Sequence, residues 1–170
     1  MRSRLLLCAL LGACSPDEPI ISASLTAAAK PATMAGALSV GVSQVDVHIA
    51  NDQDGTWTTL FLGKSDVLLA DVGTANFLGQ ASVPAGNLTQ VRIVLDGARL
   101  IDGATITTVV CPSCTQTGIK LVPGEMIEVH EGGTLDMLLT FDLSASMITR
   151  GDTILMFPVI HVDAAPPPVE

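Results

Sequence analysis

Three stretches of strict alternation decide what this chain can fold into. Val45, Val47 and Ile49 alternate with Asp46 and His48. Val91, Ile93 and Leu95 alternate with Gln90, Arg92 and Asp96, and Leu135, Met137, Leu139 and Phe141 with Asp136, Thr140 and Asp142. Successive side chains of a strand point to opposite faces, so a period of two buries one face and wets the other. A helix would need its apolar residues three and four apart. The segments therefore predict antiparallel strands, with Asp46, His48, Asp136 and Asp142 on outer faces.

Turn chemistry separates these strands: "NDQDG" at 51–55, "DGA" at 96–98, "CPSC" at 111–114, "VPGE" at 122–125 and "EGG" at 131–133. After the first turn, Trp57 to Leu62 returns as the partner of the strand at 45–49. Val40 and Val42 lie on the opposite parity from Val45, so a β-bulge near Ser43 and Gln44 is needed to keep both sets inside. Ile21, Ala23 and Leu25 suggest an edge strand. The last strand runs from Ile154 to Val162 with Pro158 inside it, which implies an edge position or an unpaired amide. The Ala-rich segment at 27–37 is the best helical candidate, and Pro31 interrupts it. About eight short strands with regular turns predict an all-β fold, an antiparallel β-sandwich, with a small barrel as the alternative. The domain is expected over 20–163, followed by a stiff Pro-rich tail at 164–170.

The N-terminus carries a different grammar. Arg2 and Arg4 precede the apolar run Leu5 to Leu11, the order of a secretory signal peptide. That run is too short to cross a bilayer, which takes about 20 apolar residues for a core of roughly 30 Å. Leu11-Gly12-Ala13-Cys14 resembles the lipobox of bacterial lipoproteins. The resemblance implies removal of residues 1–13 and a diacylglyceryl group on the Cys14 thiol, with 14–19 as lipidated N-terminus and tether. An ordinary signal peptide with a cysteine near its end is the alternative. Two or more acyl chains anchor stably where one binds marginally, so the expected location is the cell envelope, with the membrane as a partner through acylated Cys14. Ser15 gives no inner-membrane retention signal of the Asp type, which implies the outer membrane in a host that has two.

With Arg2 and Arg4 removed from the 8 Lys and Arg, six basic side chains face 17 acidic ones. Such a surface repels phosphate backbones and carries no basic stripe, so nucleic acid is not an expected partner. Trp57 is the only tryptophan and there is no tyrosine, which weighs against surfaces that stack sugars or bases on rings. Cys8 leaves with the signal and Cys14 takes lipid. Cys111 and Cys114 remain as a pair in an oxidising compartment, where a structural disulfide competes with a redox centre and a zinc half-site. "TTVVCPSCTQTGIKL" reads as strand, turn, strand, without the helix N-terminus that lowers a redox thiolate's pKa.

Other candidate sites thin out on counting. "NDQDG" resembles the opening of a calcium loop, but Ala50 and Phe61 would fill places that require oxygen ligands. His48, His130 and His161 share no element at ligand spacing, so no metal is expected. Asp136 and Asp142 would lie roughly 20 Å apart at about 3.3 Å per residue, too far for paired carboxylates. No nucleophile elbow or triad pattern is present, and no cofactor motif.

Five stretches in series, "VSQVDVHIANDQDGTWTTL", "VPAGNLTQVRIVLDGARL", "CPSCTQTGIKL", "LLTFDLSAS" and "LMFPVIHV", resemble the family called domain of unknown function 4382. The resemblance spans Ile20 to Val162 and implies an immunoglobulin-like or prealbumin-like sandwich with no assigned activity, hence no functional residues to carry over. Ala27 stands where an Asp usually follows Leu-Thr, and Leu88 where a Tyr usually follows Pro84-Ala85-Gly86. Cys111 and Cys114 are additions to an existing turn. The expected function is that of a lipid-anchored envelope module, structural or binding and not an enzyme, with an envelope protein or polysaccharide as partner. An envelope thiol-redox protein using Cys111 and Cys114 is the alternative, and an enzyme with a loop-built site the third.

Overall fold

Alternating segments become the strands of two open sheets in the computed structural model, which describes residues 17–31, 34–51, 55–114 and 117–165. In chain order these are β1 (Ile20–Ala27), β2 (Ala37–Ala50), β3 (Gly55–Leu69), β4 (Asn76–Ser82), β5 (Gly86–Asp102) and β6 (Thr105–Val110). There follow β7 (Ile119–Leu121), β8 (Ile127–Val129), β9 (Thr134–Phe141), the single helical turn α1 (Leu143–Ser146), β10 (Met147–Arg150), β11 (Thr153–Met156) and β12 (Ile160–Ala165). The smaller sheet has the order β12-β9-β1-β4. The larger has β10-β11-β6-β5-β2-β3, with β7 and β8 also paired to β5. Neither sheet closes, so the architecture is the sandwich and not the barrel.

Both inner faces are built from the alternating apolar sets. Leu38, Val40, Val42, Val45, Val47 and Ile49 of β2 are all fully buried, although the first three and last three differ in parity. The register of β2 slips between Val42 and Gln44 against both neighbours. Against β5 Ser43 is the extra residue, while against β3 the extra residue is on β3, where Gly63 and Lys64 face Ser43; the expected bulge re-aims β2 and keeps both halves inside. Across from it, Leu135, Met137, Leu139 and Phe141 of β9 and Ile21, Ala23 and Leu25 of β1 complete the core. Burying each large side chain of this set stabilises the fold by about 1.5–3 kcal/mol. At one corner Gly79 of β4 lies so close to β3 that a Cβ would strike the Leu60 carbonyl, which holds the edges of the two sheets together.

Three expectations are corrected. The sheets are not wholly antiparallel: β1 runs parallel to β9, and β11 parallel to β6. Alternation fixes faces and not directions, so the sequence held no sign of this. β1 is also no edge strand, because it lies between β9 and β4. Finally, the strand expected from Ile154 to Val162 is two strands in different sheets, β11 and β12. Pro158, which has no amide to give, sits in the crossing between them. That crossing is fastened to α1: the Phe157 amide donates to the Ser146 carbonyl at 2.8 Å, and the Val159 amide to Ser146 Oγ at 2.8 Å.

Candidate functional site

Asp46 stands on the face that alternation assigns to solvent, yet its side chain is only 2 % exposed. Register explains the burial. Thr59 of β3 and Arg92 of β5 flank Asp46 on either side, and all three point outward from the larger sheet. Thr59 Oγ1 donates to Asp46 Oδ1 at 2.7 Å. Gln44 Nε2 lies 2.9 Å from both carboxylate oxygens. Arg92 reaches Oδ2 with Nε at 2.8 Å and Nη2 at 2.6 Å. Burial pushes the Asp46 pKa up, but the hydrogen bonds from Gln44, Thr59 and Arg92, with the guanidinium charge, outweigh it and hold the carboxyl below its ordinary value.

A second layer lies over this pair. Trp57 of β3 has the Arg92 guanidinium carbon 5.2 Å from its ring centroid, within cation–π range. His48, in register with Trp57, has its ring centroid 5.0 Å from the indole's. The Thr89 hydroxyl donates to the His48 carbonyl at 3.2 Å and sits 2.6 Å from Nδ1. Gly55 makes room for the ring, since a Cβ there would collide with His48.

Chemically, this is a positioning device and not a base. Both Asp46 oxygens are saturated by donors and its affinity for a proton is lowered, so it has no vacancy for a substrate proton. What it leaves outside is Trp57, 42 % exposed, the outer edge of Arg92, and Lys120 of β7 directly opposite Arg92. Further along the same face, Arg99 pairs with Asp66 at 3.2 Å and Lys64 with Asp96 at 3.8 Å.

The remaining sequence candidates are scattered. Cys111 and Cys114 stand at disulfide distance with Cα atoms 5.5 Å apart, between β6 and β7 as the strand-turn-strand pattern predicts. Cys114 is fully buried, and its carbonyl accepts the Leu95 amide at 3.4 Å. His130 lies 3.6 Å from Glu128, and His161 is on β12 opposite Thr140. Among the described residues no group of three or more His, Cys, Asp or Glu side chains comes together. Asp142 is not an exposed strand residue as alternation predicts. It caps α1, accepting from the Ala145 amide at 2.9 Å and Ser144 Oγ at 2.7 Å, and these bonds lower its pKa. Cys14 and the Asp52 to Asp54 part of "NDQDG" lie outside the described residues. An apolar cleft of about 400 Å³ opens between β8 and β9, lined by Ile127, Val129 and Leu135.

The Asp46–Arg92 pair went unread in the sequence because its members are 46 residues apart. Opposite charges at outward parity on two strands are a signal, but their meeting depends on bulges that set the register of β2 against β5.

Two open sheets over one core, with a cross-braced polar face on the larger, define the class: an all-β sandwich domain. The chain belongs to the family described as a domain of unknown function, DUF4382, whose model matches residues 21–157. The match takes in β1 through β11, hence Asp46, Trp57, Arg92 and the cysteine pair, while β12 lies beyond it. No curated protein and no solved structure matches the chain. No helix among the described residues is long and apolar enough to cross a membrane.

Proposed function

We propose that this protein is a lipid-anchored binding module of the cell envelope, tethered through acylated Cys14 and meeting an envelope protein or polysaccharide on the outer face of its larger sheet, around Trp57 and Arg92. The observation that carries this reading is the buried Asp46 carboxylate on that face. Replacing a buried ion pair by apolar side chains is often neutral or stabilising, so stability is a poor reason to keep one. What the pair accomplishes is to hold Arg92 rigidly beside a half-exposed tryptophan. Arg and Trp are the residue types that dominate binding hot spots, and a side chain fixed in advance loses less entropy on contact.

Catalysis fits the face less well, because its one perturbed carboxylate is saturated. The redox alternative is also disfavoured by the setting of the cysteines. Cys114 is buried, and the one helical turn among the described residues follows β9 and not the CPSC turn. A local staple closing so small a loop contributes about 2 kcal/mol or less. Insulin reduction by the purified protein would restore the redox reading.

The anchor and the face are tested separately. Mass spectrometry of the mature N-terminus is expected to show a lipidated cysteine, and Cys14→Ser to release the protein from membranes. Crosslinking in intact envelopes is then expected to give a discrete adduct with the native chain that is lost with Trp57→Ala. Equal yield from the two chains would remove this face from the proposal.

A further inference from the structure

We infer that the tethered domain stands on end, with the pole that carries the β8–β9 turn facing the bilayer that holds Cys14 and both sheet faces upright and free. This rests on the lipid anchor proposed above and adds to it a surface whose partner is the lipid headgroup layer. Its ground is the length of the link. Only Ser15 and Pro16 separate Cys14 from Asp17, and three steps of extended chain reach about 10 Å.

Asp17 already belongs to the domain. Its carbonyl accepts the Gly132 amide at 2.7 Å, the Pro19 carbonyl accepts the Val83 amide at 2.9 Å, and the Ile20 amide donates to the Gly133 carbonyl at 3.0 Å. Gly132 and Gly133 form the β8–β9 turn, and Val83 directly follows β4. These bonds pin the start of the chain to one pole, so that pole lies within the link's reach of the lipidated residue.

Lying flat is the rival arrangement, and each way of doing it fails. Flat on the larger sheet, the body would lift Asp17, which leads into the smaller sheet, by the spacing between stacked sheets. That spacing is about 10 Å, and a layer of side chains adds to it, so the link is exceeded. Flat on the smaller sheet, the body would press Asp136 and Asp163 toward the headgroups. The pole's own carboxylates, Asp17, Glu18 and Glu131, are exposed and are held near the surface by the short link in either posture, so lying on the smaller sheet adds Asp136 and Asp163 to them. Against anionic lipid, repulsion acts within a screening length of about 8 Å and favours the posture that keeps the fewest carboxylates that close. Standing on end does this, because only the pole is then near the surface. The 17 residues of β5 carry the opposite pole away, on the order of 50 Å at about 3.3 Å per residue.

The test uses the full lipidated chain in vesicles of phosphatidylethanolamine and phosphatidylglycerol with a quencher on the headgroups. A fluorophore is attached through Glu131→Cys at the proposed membrane pole or Ala104→Cys in the β5–β6 turn at the other, without reductant. Quenching is expected to be several-fold stronger at position 131 than at 104. Ser82→Cys, beside Ile20 in register, is a second reporter expected to follow 131. Retention on the vesicles with equal quenching at 131 and 104 would overturn the orientation alone. Loss of the unsubstituted chain from the vesicles would overturn the anchor and the orientation with it.

Discussion

Asp46 and Asp136 occupy matching places and meet opposite fates. Each stands on the outer face of a strand with neighbours on both sides, Asp46 on β2 between β3 and β5, Asp136 on β9 between β12 and β1. Each is flanked along its own strand by buried apolar residues. Yet Asp46 is 1 % exposed, while Asp136 is open to solvent with one hydroxyl partner, Ser22 Oγ at 2.6 Å. The difference lies in the residues brought alongside. Gln44, Thr59 and Arg92 converge on Asp46, with Trp57 against the Arg92 guanidinium, whereas the short Ser22 beside Asp136 leaves it open. A strand's parity decides which face a side chain takes; the size of its cross-strand neighbours decides whether that face is wet.

The hardest blow to this contrast is Arg92→Ala. It leaves a buried carboxylate without its cation, a class of change that costs 3–5 kcal/mol, and about 3 kcal/mol is expected here because Arg92 is itself about one third exposed. Urea denaturation reads the loss. A cost below about 1 kcal/mol would mean that Asp46 is hydrated in solution and that the two faces are alike.

Acid titration probes the same pair more gently. Asp46 has its pKa lowered in the folded state, so its contribution is present above the unfolded value of about 3.9 and is lost as pH falls through the lower folded value. Stability of the native chain is therefore expected to fall from about pH 4 downward, and Asp46→Asn to flatten that fall. Asp142 is lowered in the same direction by its capping bonds, so a residual slope should remain in the variant and disappear with Asp142→Asn added. A slope unchanged by Asp46→Asn would show that the pair does not survive in solution.

How far these two regions were legible beforehand follows from the same physics. The buried faces were readable because apolar alternation is local, and even the bulge at Ser43 follows from the parity conflict between Val42 and Val45. Strand direction, the central place of β1 and the division of the last segment at Pro158 depend on which distant strand each one meets. No local pattern carries that information. The smaller face read correctly as wet because small neighbours leave alternation undisturbed. Asp46 was placed on the correct face, but its burial went unread because it is a property of three strands in register and of the Gln44, Thr59 and Arg92 side chains that converge on it. Cys111 and Cys114 were legible as a turn pair because their partner lies within the same turn.

The smallest effect is expected on the smaller sheet and sharpens the contrast from the other side. Asp136 and Asp163 share the outer face of β9 and β12, with Asp163 opposite Leu138, two positions along from Asp136. Diagonal neighbours of this kind are about 7–8 Å apart, so two exposed carboxylates there repel weakly through water. Asp136→Asn keeps an acceptor for Ser22 Oγ while removing one of the like charges from an acidic chain. Its net effect is expected to be within about 0.5 kcal/mol, stabilising at low ionic strength, and to vanish at about 1 M salt, where the screening length is about 3 Å. Paired urea melts at the two ionic strengths measure it. A salt-independent loss above about 1 kcal/mol would mean that Asp136 is held as Asp46 is, and that cover by large neighbours is not what separates the two faces.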